Sequence, residues 1–318
     1  MDCKVVPELV PRAAASRTEV LHLIANVLGR DDRVLVTGGS GWLGRTTIAL
    51  VWQVFGPQWV QSNLRATASR ERVIDLLGYG PVRVHDRRGD FWPTVLVNCA
   101  FPTRDRVEGM GHGNYVSTAS RLTQQLLKQL TLPELRKAVT FSSGAAVASD
   151  KFPADLLRNP YGVLKAAEEQ GMLDVTRQTG VTGTVCRVWA ISGPHVLEPA
   201  KYAVSDFVEQ GLRNAVIEVR AAHPVIRQYA SADDVVAVSL AADGVFDSGG
   251  ETAELGYVAR LVADSTDAIV HRARYDAAAR PDDYRGDDRR WIEILGNVGL
   301  QQEGLVSQVD SLVSGLRA

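Results

Sequence analysis

Tyr161 and Lys165 stand four residues apart in the run Asn159-Pro-Tyr-Gly-Val-Leu-Lys165. On a helix that spacing puts them on one face. A lysine ammonium beside a phenol stabilises the phenolate and lowers a pKa that starts at about 10. Such a pair takes or returns a substrate hydroxyl proton close to neutral pH. Upstream, Lys137-Ala-Val-Thr-Phe-Ser-Ser143 reads as a strand ending in two hydroxyls. Ser143 or Ser142 can bind the same substrate oxygen and polarise it as a carbonyl forms. Tyr-x-x-x-Lys alone is a common surface spacing, and its weight here comes from what precedes it.

The element that must position this chemistry is Val34-Leu-Val-Thr-Gly-Gly-Ser-Gly-Trp-Leu-Gly44. A β-branched run, glycines at Gly38, Gly41 and Gly44, and an amphipathic pattern from Arg45 to Phe55 spell strand, tight turn and helix. Gly38 lets the chain reverse, Gly41 lets backbone approach a pyrophosphate, and Gly44 lets the helix lie close on the strand. The loop residues Gly38, Ser40, Gly41, Trp42, Leu43 and Gly44 are therefore candidates to hold a dinucleotide. A second strand is expected near Trp59 to Leu64. NAD-specific sites carry an acidic residue about 20 positions beyond the glycines. Gln61 to Arg70 contains no carboxylate, whereas Arg65, Arg70 and Arg45 are available for a 2′-phosphate. The expected cofactor is NAD or NADP, with NADP slightly favoured. Val82 to Val84 reads as a third strand ending at His85-Asp86-Arg87, where Asp86 is placed for an adenine amino group. Thr94 to Ala100 reads as a buried strand whose small last residues let backbone pass a ribose.

Composition bounds the rest. The chain has 318 residues, 45% hydrophobic and 23% charged, with a net charge of -2. These values fit an ordinary globular protein and give no electrostatic reason to expect nucleic acid or an anionic membrane. Cys3, Cys99 and Cys186 are scattered without metal spacing, so no metal is expected and a reducing cytoplasm is. No apolar stretch is long enough to span a bilayer, and the N-terminus lacks a signal pattern. Ser16-Arg-Thr-Glu19 is a capping-box pattern before a helix through Val20, Leu23, Ile24 and Leu28. Asn114 to Leu130 is a further helix. Beyond Trp189, helical patterns run through Val204 to Leu212, Asp233 to Ala242, Trp291 to Leu295 and Leu305 to Leu316, with a polar loop at Pro281 to Asp288.

Taken together, the chain resembles the extended short-chain dehydrogenases/reductases of the NAD(P)-dependent nucleotide-sugar epimerase/dehydratase family. The resemblance spans Asp31 to Leu316. It is carried by the Thr37–Gly44 loop, Val97-Asn-Cys-Ala100, Asn114, Phe141-Ser-Ser143, Tyr161-x-x-x-Lys165, Arg187 with Gly193-Pro194, and Arg227-Gln-Tyr-Ala-Ser-Ala-Asp-Asp234. It implies an α/β doubly wound Rossmann-like sheet with a smaller C-terminal substrate lobe. Residues 1–30 are then an N-terminal helical extension and 31–190 the NAD(P)-binding domain. Residues 191–318 are mainly the substrate lobe, with 224–242 returning to the first domain. By the same resemblance, Tyr161 is the acid or base and Lys165 binds the nicotinamide ribose. Ser143 orients the reacting hydroxyl, and Arg227 grips the diphosphate of a nucleotide sugar. The glycine loop with Arg65, Asp86, Arg87 and Ala100 holds the cofactor, and a homodimer forms through the Asn114 to Leu130 region. His195, Tyr202 and Arg260 are lesser candidates for the substrate.

Three departures stand out. Counting back from Val147 places Gly144, not Ser143, at the family's catalytic hydroxyl position, and Ala148 replaces the usual Tyr before Gly. Ala190 also replaces a frequent Asn. The implied activity is transient oxidation of a nucleotide-sugar hydroxyl, leading to epimerisation or dehydration. A net NADPH-dependent keto-sugar reductase is the second reading, and a non-catalytic dinucleotide sensor is the third.

Overall fold

The computed structural model describes residues 16–317. Residues 1–15, half of the expected N-terminal extension with Cys3, lie outside the described residues. In chain order the elements begin with α1 (Thr18–Val27), β1 (Val34–Thr37), α2 (Trp42–Phe55), α3 (Pro57–Asn63), β2 (Leu64–Thr67), β3 (Arg72–Leu76), β4 (Gly80–His85) and β5 (Val95–Asn98). Then come α4 (Arg106–Met110), α5 (His112–Gln129), β6 (Lys137–Ser143), α6 (Pro160–Thr179), β7 (Thr182–Val188), β8 (Ala190–Ser192), α7 (Ala203–Asn214), β9 (Val216–Glu218) and β10 (Val225–Ser231). The chain closes with α8 (Ala232–Ala241), β11 (Gly244–Asp247), β12 (Glu251–Glu254), α9 (Leu255–Thr266), β13 (Ile269–His271), β14 (Asp282–Tyr284), α10 (Arg289–Val298) and α11 (Leu305–Arg317).

Eight strands form the main sheet in the order β11-β7-β6-β5-β1-β2-β4-β3, parallel throughout except for β3. β1, β5 and β6 are buried along their whole length, as strands covered on both faces must be. The order reverses at β1, between β2 and β5, and the crevice beyond that switch point is where such sheets bind ligands. This is a Rossmann-like doubly wound α/β fold. A second sheet, β12-β10-β14 with β8 beside β10, belongs to a smaller core built on α7, α9 and α11.

Several local expectations need correction. The segment Trp59 to Leu64 is not a strand. Pro57 opens helix α3 at its first turn, Trp59 stacks on Phe55 at 4.4 Å, and the strand starts only at Leu64. α2 begins at Trp42, three residues before Arg45, directly out of the glycine turn. The Ser16–Glu19 capping box does not form. Arg17 is the N-cap without a side-chain cap bond, and the Ser16 amide and hydroxyl bind Gln53 instead. β3 was not foreseen, because a polar edge strand with two buried residues shows little alternation of apolar character.

Among the described residues, no helix is long and apolar enough to cross a membrane.

Candidate active site

The glycine turn sits at the carboxyl end of β1. Gly38 has φ +68°, and a Cβ there would lie 2.6 Å from the Cys99 carbonyl and 2.8 Å from the Ala100 nitrogen. A Cβ on Gly44 would lie 2.4 Å from the Gly38 oxygen, so α2 packs on the turn as the fingerprint requires. At Gly41, by contrast, a Cβ would meet only the Gly38 oxygen, at 3.3 Å. Gly41 caps α2 without any side-chain bond, leaving the first-turn amides of a 14-residue helix for an anion. These features fit a dinucleotide pyrophosphate. Ser40 presents its carbonyl to Arg45, whose guanidinium also reaches the Asp75 carbonyl at 2.8 Å. The Trp42 and Leu43 side chains turn into the protein, Trp42 edge-on to Tyr202 at 4.8 Å, so these two residues offer backbone rather than side chain.

Asp86 and Arg87 follow β4 as an exposed pair 3.8 Å apart. Arg65 lies inside β2, two residues short of its carboxyl end, with its guanidinium 5.7 Å from the Phe91 ring. Ala100 passes beside Gly38 as described above. Below the crevice, Thr37 donates to Asn98 at 2.6 Å, and Asn98 donates to Thr140 at 2.9 Å, joining the ends of β1 and β5 to the middle of β6.

Tyr161 and Lys165 are set by α6. Pro160 occupies its first turn and the Asn159 side chain caps it, accepting from the Gly162 amide at 3.0 Å. The same Asn159 donates to the Ala145 carbonyl at 3.3 Å, which pins the helix start to the end of β6. Tyr161 is thereby brought onto Ser143. Burial raises the phenol's pKa, a hydrogen bond with Ser143 opposes that, and the Glu168 charge adds to it. The expected lowering by Lys165 does not occur in this arrangement. Lys165 shares the helix face, but its ammonium is held at 2.9 Å by Glu168 and at 2.8 Å by the Phe141 carbonyl, over the Phe101 ring. Glu168 is 1% exposed and is also reached by Thr140 at 3.3 Å. A buried carboxylate therefore spends the lysine's charge, a feature that Tyr-x-x-x-Lys spacing does not reveal.

Ser143 is the hydroxyl at the site, and Ser142 is buried without a partner. The Ser143 oxygen accepts from the Ala145 amide at 3.2 Å, and the Tyr161 and Tyr284 phenols lie near enough to feel it. Gly144 cannot carry a hydroxyl here. A Cβ would fall 2.5 to 2.7 Å from the indole of Trp189. Tyr284 was missed in the sequence because it lies in a polar loop with no periodicity; pairing β14 in parallel with β10 delivers it. Its ring packs 4.5 Å from Trp189 and 5.5 Å from Phe152.

Arg227 sits opposite Tyr284 in that pairing, with its guanidinium 5.6 Å from the Tyr284 ring. It binds the Asp282 carboxylate at 2.8 Å and the Asp282 carbonyl at 2.7 Å, and Lys151 takes the other carboxylate oxygen at 2.6 Å. These two cations hold the Asp282 carboxyl below its usual range against the opposing effect of burial. Of the lesser candidates, His195 is buried and pushed down to about 4 by desolvation. Tyr202 packs on Trp42, and Arg260 lies near the Tyr257 ring at 5.9 Å.

The family described as NAD dependent epimerase/dehydratase matches residues 34–256. No curated protein matches the chain significantly. Among solved structures, the UDP-glucose 4-epimerase of Thermus thermophilus in complex with NAD is 20% identical. Its TM-score is 0.66, over 90% of this chain and 99% of the other. TunA, an NAD-dependent NDP-hexosamine 5,6-dehydratase of tunicamycin biosynthesis, is 17% identical with a TM-score of 0.67, over 90% and 98%. RMD of Pseudomonas aeruginosa, complexed with NADPH, is 20% identical with a TM-score of 0.63, over 91% and 100%. At these identities the structural likeness speaks for the fold, while the family match covers well over half of the sequence. The chain belongs to the NAD dependent epimerase/dehydratase family.

Proposed function

We propose that this chain is an NAD(P)-dependent enzyme that transiently oxidises a hydroxyl of a nucleotide-activated sugar and thereby epimerises or dehydrates it. The observation that carries this reading is the Tyr161 phenol set beside Ser143 at the carboxyl end of the parallel sheet, the edge that also holds the glycine turn. Solved structures with the same fold include complexes with UDP-glucose and NAD and with NADPH.

The glycine turn, with the first-turn amides of α2, holds the pyrophosphate, and the Asp86–Arg87 pair lies toward the adenine. When bound, the nicotinamide supplies the hydride acceptor and donor. Tyr161 takes the substrate hydroxyl proton and later returns one. Ser143 fixes the reacting oxygen, and Lys165, held by Glu168 and the Phe141 carbonyl, meets the nicotinamide ribose once it turns from them. Arg227 serves the substrate diphosphate, for which a planar guanidinium is suited. Two copies pair through the α5 face, which sedimentation tests.

A net NADPH-dependent reduction of a keto sugar is the second reading. It is favoured by the absence of any carboxylate from Gln61 to Arg70, where Arg65 and Arg70 stand instead. The test of the main reading is Tyr161→Phe. The variant should bind dinucleotide as wild type does and lose turnover of nucleotide sugar by at least about 100-fold, the lower range for a positioned acid–base group. Retained turnover would sink the assignment.

A further inference from the structure

The site lacks one hydroxyl and holds another in its place. Gly144 stands where the resembling family carries the catalytic hydroxyl, and Trp189 fills the space that a side chain there would need, 2.5 Å from the would-be Cβ. The same indole closes on the second lobe. A Cβ on Gly286 would lie 2.3 Å from its Nε1, so the loop after β14 packs directly against Trp189. That packing brings the Tyr284 ring to 4.5 Å from Trp189 and sets its hydroxyl beside Ser143 and Tyr161. Around the ring, Phe152 stands edge-on at 5.5 Å, with Arg227 at 5.6 Å and Lys151 at 5.4 Å.

We propose that Tyr284 is a catalytic residue whose phenol, with Ser143 and Tyr161, holds the reacting oxygen of the sugar in place of the hydroxyl absent at Gly144. The inference rests on the nucleotide-sugar reading above. Three hydroxyls converge: one from the end of β6, one from the start of α6, and one from the substrate lobe. Burial pushes the Tyr284 phenol up to about 12, so it remains a hydrogen-bond donor at neutral pH and leaves the proton transfer to Tyr161. Because Tyr284 comes from the second lobe, the oxygen-binding set is complete only when β14 is docked over β6. The aromatic wall of Trp189, Tyr284 and Phe152 offers apolar faces to the C–H side of a pyranose ring.

The test titrates NAD-saturated wild type and Tyr284→Phe with UDP-glucose, dTDP-glucose and GDP-mannose, and with UDP, dTDP and GDP alone. Phenylalanine keeps the ring packing and removes only the hydroxyl. The best-bound nucleotide sugar should lose about fivefold or more in affinity, the factor carried by one hydrogen bond. The matching nucleoside diphosphate should bind both proteins equally. Equal affinity for the sugar would overturn the proposal. Tighter binding by the variant would also overturn it, by showing that the phenol obstructs the site. Failure of wild type to bind any of the six ligands would refute the nucleotide-sugar reading, and this inference with it.

Discussion

At the scale of single residues, Tyr161 carries two opposed demands. A base must shed its proton, yet burial and the Glu168 carboxylate both raise the phenol's pKa, and Lys165 is bound elsewhere. A raised pKa makes the phenolate the minor form throughout the neutral range. The oxidative direction should therefore speed up as pH rises, with kcat/KM climbing toward about tenfold per unit between about pH 7 and 9. A flat profile across that range would contradict Tyr161 as the base. Gly144 allows a second test that needs no substrate. Gly144→Ser restores the family's hydroxyl but drives its Cβ into the Trp189 indole. Overpacking of this kind costs about 1–3 kcal/mol. The variant should melt below wild type, and an unchanged melting temperature would show that the indole yields freely.

At the scale of elements, the N-terminal helix is tied to the fold by an ion pair whose carboxylate is buried. Arg17, the N-cap of α1, reaches Asp234 in the first turn of α8 and the Gln301 carbonyl at 2.7 Å. Asp234 is 1% exposed, accepts the Glu303 amide at 2.7 Å, and is pushed up to about 6 by burial. Arg17→Ala strands that carboxylate, and breaking such a pair costs about 3 kcal/mol. Urea unfolding should show the midpoint fall, and an unmoved midpoint would mean that α1 is held by its apolar face alone. Elements of this sort were unevenly legible in the sequence. β6 was readable from Lys137 to Ser143, and the α6 start from Asn159-Pro160, because a buried parallel strand and a capped helix leave local marks. The Trp59 segment misled because aromatic and β-branched residues suit a strand, while Pro57 and contact with Phe55 decided for helix. Glu168 and Tyr284 were invisible as site residues. Glu168 holds Lys165 at a spacing common on exposed helices, and only the fold buries that pair; Tyr284 meets Ser143 from far away in sequence.

At the scale of the whole molecule, the site is assembled from two cores. The larger underlies β1, β5 and β6, which supply the glycine turn and Ser143; the smaller carries β10 and, through it, β14 with Tyr284. Leu43 packs against both cores, and Trp42 from the glycine turn is buried in the smaller one, so dinucleotide and substrate regions share packed side chains. That arrangement suits a cofactor kept in place while a sugar is oxidised and reduced in one crevice. The most direct measurement is mass spectrometry of UDP-, dTDP- and GDP-sugars incubated with NAD-loaded wild type and with Tyr161→Phe. The account predicts that wild type converts one of them to an isomer or to a product lighter by one water, with no net accumulation of reduced cofactor, and that Tyr161→Phe converts none. Net accumulation of reduced cofactor in step with product, or conversion that survives Tyr161→Phe, would contradict it.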